Sequence, residues 1–364
     1  MSGTIGAMTG GGALQQLIAQ AATTKSRLDQ LTTQASSGYD ATTYAGVDAA
    51  NSSAGATQSA LALGSQITGL TSTVANITAA TGRMGVQQTA LASISSIASG
   101  VLTAVQSIDP TNAQAMAVVA KSAQQALLQV ADMLNSKDGN VYIFGGQNSA
   151  VPPIANANAI TSSAFATQIA TAVAGLATNG ASATASATLA IGQSNAAGTT
   201  PFAASLGANP ALPQVALGNG TTATIGIAAN ANGFVTSNAP ANGGTTGSYM
   251  RDILTSLATV AALSPATAQA PGYSNFIQST TATLGSAIDT LNQDAGVLGN
   301  SQSAMTAQAT SLQQTITGMT TQQAGVTQVN MATTLSQLSS VQTQLQASYQ
   351  LIAAMKTMSL TQYI

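Results

Sequence analysis

The sequence predicts a mainly α protein: a long antiparallel coiled coil or helical bundle formed by both chain ends, with a small β-rich inserted domain between them. Three observations predict this. All nine prolines lie between Pro110 and Pro271, so residues 1–109 and 272–364 lack the residue that most strongly breaks a helix. Apolar residues in both end segments recur at alternating spacings of three and four. Residues 139–250 carry no charge, hold six of the nine prolines and are crowded with Gly, Asn, Thr and Ala, a composition shift that marks a separate region.

The first apolar series is Leu14, Leu17, Ala21, Thr24, Leu28, Leu31 and Ala35. A second runs from Leu63 through Ile67, Leu70, Val74, Ile77, Thr81, Met84, Gln88, Leu91, Ser95, Ala98 and Leu102 to Val105, and Asp109-Pro110 stops it. A third helical stretch carries Met116, Val119, Ala123, Val130 and Met133. In the C-terminal segment Ile277, Leu284, Ile288, Leu291, Ala295, Leu298, Met305, Ala309, Leu312, Ile316 and Met319 keep one phase. The phase breaks between Val326 and Met331, just after Gly325, and a new series follows: Met331, Leu335, Leu338, Leu345, Tyr349 and Ile352. Such a break marks a joint or a change of partner.

These helices are rich in Thr, Ser and Gly, which favour helix only weakly, and they lack Glu–Lys pairs. Their stability must come from packing, on one another or on neighbouring subunits. In the neutral middle, Thr222 to Ile227 and Gly233 to Thr236 are β-compatible runs, and Gly218-Asn219-Gly220 and Asn242-Gly243-Gly244 read as turns. A small β-rich or mixed domain is expected there. A disordered insert is the competing reading, against which the absence of charge argues.

The composition excludes several functions. The chain has 364 residues and a net charge of −2, with 4% charged residues. It therefore has no basic field for a phosphate backbone or an anionic membrane, and no nucleic-acid partner is expected. No run of 18 apolar residues occurs, so no membrane insertion is expected either. The N-terminus lacks the basic and apolar regions of a cleaved signal peptide. Cys and His are absent, which removes disulfides, thiolate metal sites and Ser-His or Cys-His nucleophiles. Of the nine Asp, Asp289 and Asp294 are the closest pair considered for acid–base work, and a spacing of five puts them on different helix faces. Asp132 and Asp138 flank a helix end as solvated or capping groups, and Gly10-Gly11-Gly12 reads as a flexible tail. No catalytic residue, cofactor or metal is expected. With so few ionisable groups, stability should also depend only weakly on pH.

Three segments resemble the flagellin superfamily, and most closely its hook–filament junction branch. Gln30 to Tyr39, which contains Ser36-Ser37-Gly38, resembles the motif at which the family's first helix ends. Asp132 to Gly146, with Leu134-Asn135, Asp138-Gly139 and Tyr142-Ile143-Phe144-Gly145-Gly146, is similar to a hairpin that precedes an inserted outer domain. Leu345 to Tyr349 and Met358 to Ile364 resemble the family's C-terminal ending. In place of the family's acidic turn after the glycine, the chain has Ala41 to Asp48.

The resemblance implies three regions: residues 1–40 with 327–364 as a terminal coiled coil, 41–150 with 246–326 as a helical bundle with a hairpin, and 151–245 as the inserted outer domain. It implies a structural subunit of the extracellular bacterial flagellum, exported through the flagellar type III apparatus with an export chaperone. Its partners would be copies of itself and other hook and filament proteins. The expected assembly interface is Leu14, Leu17, Leu28, Leu31, Leu335, Leu338, Leu345, Tyr349 and Ile352. The filament subunit itself is the alternative within the superfamily, and a secreted coiled-coil adhesin is the alternative outside it.

Overall fold

A computed structural model describes residues 6–51, 55–109, 111–218 and 220–361. Pro110 of the expected helix stop, Asn219 of the expected turn and residues 362–364 of the C-terminal motif lie outside these. The described chain is mainly α. Its helices are α1 (Gly6–Ser37), α2 (Tyr44–Asn51), α3 (Ala56–Gln106), α4 (Ala113–Leu134), α5 (Ala164–Ala174), α6 (Leu176–Asn179), α7 (Ala181–Gln193), α8 (Tyr249–Ala261), α9 (Pro265–Ala268), α10 (Tyr273–Thr327) and α11 (Met331–Thr361). Two antiparallel hairpins complete it: β1 (Lys137–Asp138) with β2 (Val141–Tyr142), and β3 (Gln214–Gly218) with β4 (Thr221–Thr224). The stretch 151–245 combines α5, α6 and α7 with the second hairpin, so of the two forms expected, β-rich or mixed, it takes the mixed one.

The expected run from Gly233 to Thr236 is a loop, not a strand. The N–H groups of Gly233, Phe234 and Val235 all bond to the carboxylate of Asp294, which leaves none of the three for a neighbouring strand. The other run begins in β4 and leaves the ladder after Thr224, where Gly226 adopts a φ of +79° that a side chain would strain.

The chain divides into two compact units, residues 1–71 with 313–364 and residues 72–312. In the second, α10 runs antiparallel to α3. Gly299 lies against Gln88 and Gly285 against Leu102, so one number falls as the other rises. The core of this unit is made by Phe144, Phe165, Phe276, Met84, Met116, Ile94, Leu127 and Leu134, all fully buried. Helix α8 packs on α4, α5 and α7, and every residue from Tyr249 to Val260 is buried.

Helix α3 is, by length and composition, apolar enough to cross a membrane, although no unbroken apolar run foretold it. Only 33% of its most apolar stretch is buried. Its hydropathy comes from Ala, Val, Ile and Leu dispersed among Thr, Ser and Gln, with the apolar positions at Ile77, Met84, Leu91, Ala98 and Val105 turned inward.

Candidate assembly interface

In the first unit α1 packs on α11. Helix α1 ends where Gly38 takes a φ of +76°, a left-handed stop that glycine adopts without strain. The following backbone pairs with the α10–α11 connection. Asp40 N–H donates to the Thr327 carbonyl at 2.9 Å, and Val329 N–H to the Gly38 carbonyl at 3.1 Å. Gln34 Nε2 secures the turn through the Asp40 carbonyl at 2.8 Å. Asn330 then starts α11, accepting from Thr333 N–H on its Oδ1 at 3.2 Å. The break in apolar phase after Gly325 is thus a break between helices, fastened to the end of α1.

On α1, Leu31 and Ala21 are buried, and Leu14, Leu17, Thr24 and Leu28 are half-buried, one stripe at the spacing the sequence displays. On α11 the inward stripe is Thr334, Leu338, Val341, Leu345, Ser348, Ile352 and Met355. Of the residues expected to form the interface, Leu31 and Leu345 are buried within the chain, and Leu14, Leu17, Leu28, Leu338 and Ile352 are half-buried. Leu335 and Tyr349 stand outside the inward stripe, each 51% exposed. Helix α11 carries two apolar stripes one residue apart. Thr334, Val341 and Ser348 belong to the inward one, but Leu335 and Tyr349 are larger and dominate the pattern read from sequence. The outward stripe, with Met331 also exposed, is left open to solvent among the described residues.

In the second unit, three ionisable side chains lie buried at the heart of the fold. Asp294, fully buried, accepts from Gly233 N–H at 2.7 Å, Phe234 N–H at 2.7 Å, Val235 N–H at 3.2 Å and the Tyr249 hydroxyl at 2.8 Å. Arg251 donates to the carbonyls of Asn230 and Gly192, each at 3.0 Å, and to Asn195 Oδ1 at 2.6 Å, and its guanidinium lies over Phe202. Cationic donors thus meet the carbonyls that close α7. Asp252 accepts from the Thr245 hydroxyl and Thr246 N–H, each at 2.6 Å. Sequence reasoning weighed Asp294 only as half of a carboxylate pair and passed over Arg251 and Asp252. The signal for the latter two is that the neutral stretch ends in a charged pair inside the apolar segment Tyr249-Met250-Arg251-Asp252-Ile253-Leu254.

These buried groups give stability a pH dependence of definite sign. Burial raises the pKa of Asp252, against the opposing hydrogen bonds from Thr245 and Thr246. Burial, then the charge of Asp294 and the hydrogen bond to it, push Tyr249 well above its ordinary value, and burial also raises Tyr273. A carboxyl with a raised folded pKa stabilises below its unfolded value of ~3.9 and loses that contribution as pH rises through the folded value. A tyrosine with a raised pKa stabilises below ~10 and loses that contribution above it. None of these groups penalises the fold in acid. We expect the melting temperature of the full-length chain to hold from pH 7 to 4 and to fall above pH 10, where stability drops by about 1.4 kcal/mol per pH unit for each tyrosine that titrates. In Tyr249→Phe the alkaline fall should be shallower from a lower starting point, because Asp294 loses a donor. Calorimetry between pH 4 and 11.5 checks both, and an unaltered alkaline slope in Tyr249→Phe would remove that residue from the account.

Residues 281–364 match the family model of the bacterial flagellin C-terminal helical region. The match covers most of α10 and all of α11, including both stripes of α11. It supports a place in the flagellin superfamily. No curated protein matches the chain.

Proposed function

We propose that this chain is a structural subunit of the bacterial flagellum, the hook–filament junction protein that connects hook to filament. The observation that carries the proposal is where the family match falls: residues 281–364 include α11, which packs on α1 and turns outward an apolar stripe that is exposed among the described residues. Copies of the chain are the partners for that stripe, and the nine expected residues form the assembly interface in two roles. Leu14, Leu17, Leu28, Leu31, Leu338, Leu345 and Ile352 join α1 to α11, and Leu335 and Tyr349 meet a neighbour. The terminal coiled coil (1–40 with 327–364), bundle (41–150 with 246–326) and outer insert (151–245) are proposed as the working division of the assembled subunit. Export through the flagellar type III apparatus, with a chaperone, and other hook and filament proteins as neighbours complete the reading.

The helices support this in a second way. Helix α3 contains Gly64, Gly69, Gly82, Gly85 and Gly100, and α10 contains Gly285, Gly296, Gly299, Gly318 and Gly325. Each glycine costs a helix roughly 0.5–1 kcal/mol relative to alanine, so the long helices rely on packing that neighbours in an assembly supply.

The test is immunogold labelling of intact cells with antibody to residues 155–240, viewed by electron microscopy. A single band where hook meets filament is the expected result. Label along the whole filament would make the chain the filament subunit. Flagella free of label would overturn both and favour a secreted adhesin.

A further inference from the structure

The apolar residues of α3 and α10 do not by themselves choose one register. Ile77, Met84, Leu91, Ala98 and Val105 follow at intervals of seven on α3 and are all buried, as are Leu284, Leu291, Leu298, Met305 and Leu312 on α10. Sliding one helix by a heptad sets apolar side chains against apolar side chains again. Coiled coils resolve such degeneracy with a polar or steric feature at a few positions.

This pair carries such a feature. Gly85-Val86-Gln87-Gln88 on α3 and Gly299-Asn300-Ser301-Gln302 on α10 share the spacing Gly-x-x-Gln, and in antiparallel helices the two motifs mate reciprocally. A Cβ on Gly85 would stand 3.3 Å from Gln302 Nε2, and one on Gly299 would stand 2.9 Å from Gln88 Nε2. Seated over Gly85, Gln302 Nε2 donates to the Thr81 carbonyl, one turn earlier on α3, at 2.9 Å. The first unit repeats the device. Gln323 Nε2 sits 3.1 Å from where a Cβ on Gly64 would be, and it donates to the Ala60 carbonyl, again one turn before the glycine, at 3.1 Å.

We infer that the reciprocal Gly-x-x-Gln clasp sets the axial register of α3 against α10. A slip of one heptad puts Ala295 or Ala309 opposite Gly85, and Thr78 or Ala92 opposite Gln302. The glutamine then meets a Cβ where it had a vacant place, and its amide is held off the backbone carbonyl. The clasp uses no charge, so it works alike at any pH or salt concentration at which the chain folds.

Two measurements on the full-length chain test this. The first compares two glycines on α3. Gly82 has open space where a Cβ would go, so Gly82→Ala should raise the melting temperature by about 2–4 °C through helix propensity. Gly85→Ala should give no rise, or a fall, because the gain is cancelled by displacing Gln302. Equal rises would overturn the clasp.

The second reads register directly, using the absence of native cysteine. Ala92→Cys with Ala295→Cys reports the native register, and Ser99→Cys with Ala295→Cys reports a slip of one heptad. Each chain is refolded from denaturant under oxidising conditions, so that the disulfide captures the helix pair before the Asp294 bonds close, and the linked peptides are quantified by mass spectrometry. With the clasp intact, the slipped disulfide should form at no more than about a tenth of the native yield. Gly85→Ala, Gln88→Ala, Gly299→Ala and Gln302→Ala together should raise it about tenfold, the ratio expected for losing about one net hydrogen bond, that of Gln302 Nε2 to the Thr81 carbonyl. All four changes introduce the strongest helix former, and circular dichroism checks that helix content is kept. Gln88→Ala with Gln302→Ala, which introduces no clash, must move the ratio in the same direction. An unchanged ratio in both variants overturns the inference.

Discussion

Leu335→Asp and Tyr349→Asp are each expected to abolish assembly without disturbing the fold of the single chain. Both side chains are half-exposed on the outward stripe of α11, so a carboxylate there stays hydrated in the monomer. In the proposed assembly the same position would be covered. Burying a Leu contributes about 1.5–3 kcal/mol, and burying an unpaired charge costs several kcal/mol more. Since ~1.4 kcal/mol is a tenfold change in an equilibrium constant, the concentration needed for assembly should rise by more than a hundredfold. Repetition of one interface through a symmetric structure compounds the loss. Leu345→Asp should also abolish assembly, by another route: Leu345 is 8% exposed and lies on the stripe that packs on α1, so its replacement damages the helix pair itself. In the proposed export route secretion should survive in all three, because a threaded chain has no folded interfaces. Blotting of the culture medium, electron microscopy of the cells and circular dichroism of purified monomer separate these outcomes. Normal filaments in Leu335→Asp and Tyr349→Asp would refute the assembly role of the outward stripe.

Asp294→Ala should be the most damaging single change in residues 72–312. It removes the fully buried acceptor shared by three part-buried backbone N–H groups and the buried Tyr249 hydroxyl. Each orphaned donor costs about 1–3 kcal/mol. Even with partial relaxation the total should reach at least ~3 kcal/mol, which for a unit of this size lowers the melting temperature by about 6–12 °C. Asp289→Ala is the control: Asp289 is exposed on the same helix, and its loss should stay within ~0.5 kcal/mol. Asp294→Asn keeps the shape but turns an N–H₂ group toward donors, and should fall between the two. Calorimetry of the three variants reads the series directly, and equal melting temperatures for Asp294→Ala and Asp289→Ala would show that the loop from Gly233 to Val235 needs no anchor.

What the sequence by itself determined were the properties that repeat or exclude. Proline is barred from helix interiors by its ring and missing N–H, so its confinement between Pro110 and Pro271 announced the helical ends. A spacing of three and four is a local signature, so the seam of α1 from Leu14 to Leu31 and the phase break after Gly325 were both legible. Tertiary structure alone decided which partner each pattern takes. Two rows one residue apart on α11 converge on Leu338, Leu345 and Ile352, and only packing on α1 turns Thr334, Val341 and Ser348 inward and Leu335 and Tyr349 outward. Heptads repeat the same chemistry every seven residues, so the pairing of Gly85 with Gln302 had no local mark. The bonds that gather Gly233, Phe234, Val235 and Tyr249 around Asp294 join residues 45 to 61 positions apart. A hydrogen bond is specified by the positions of its two ends in space, and over such a distance along the chain only the folded backbone fixes them.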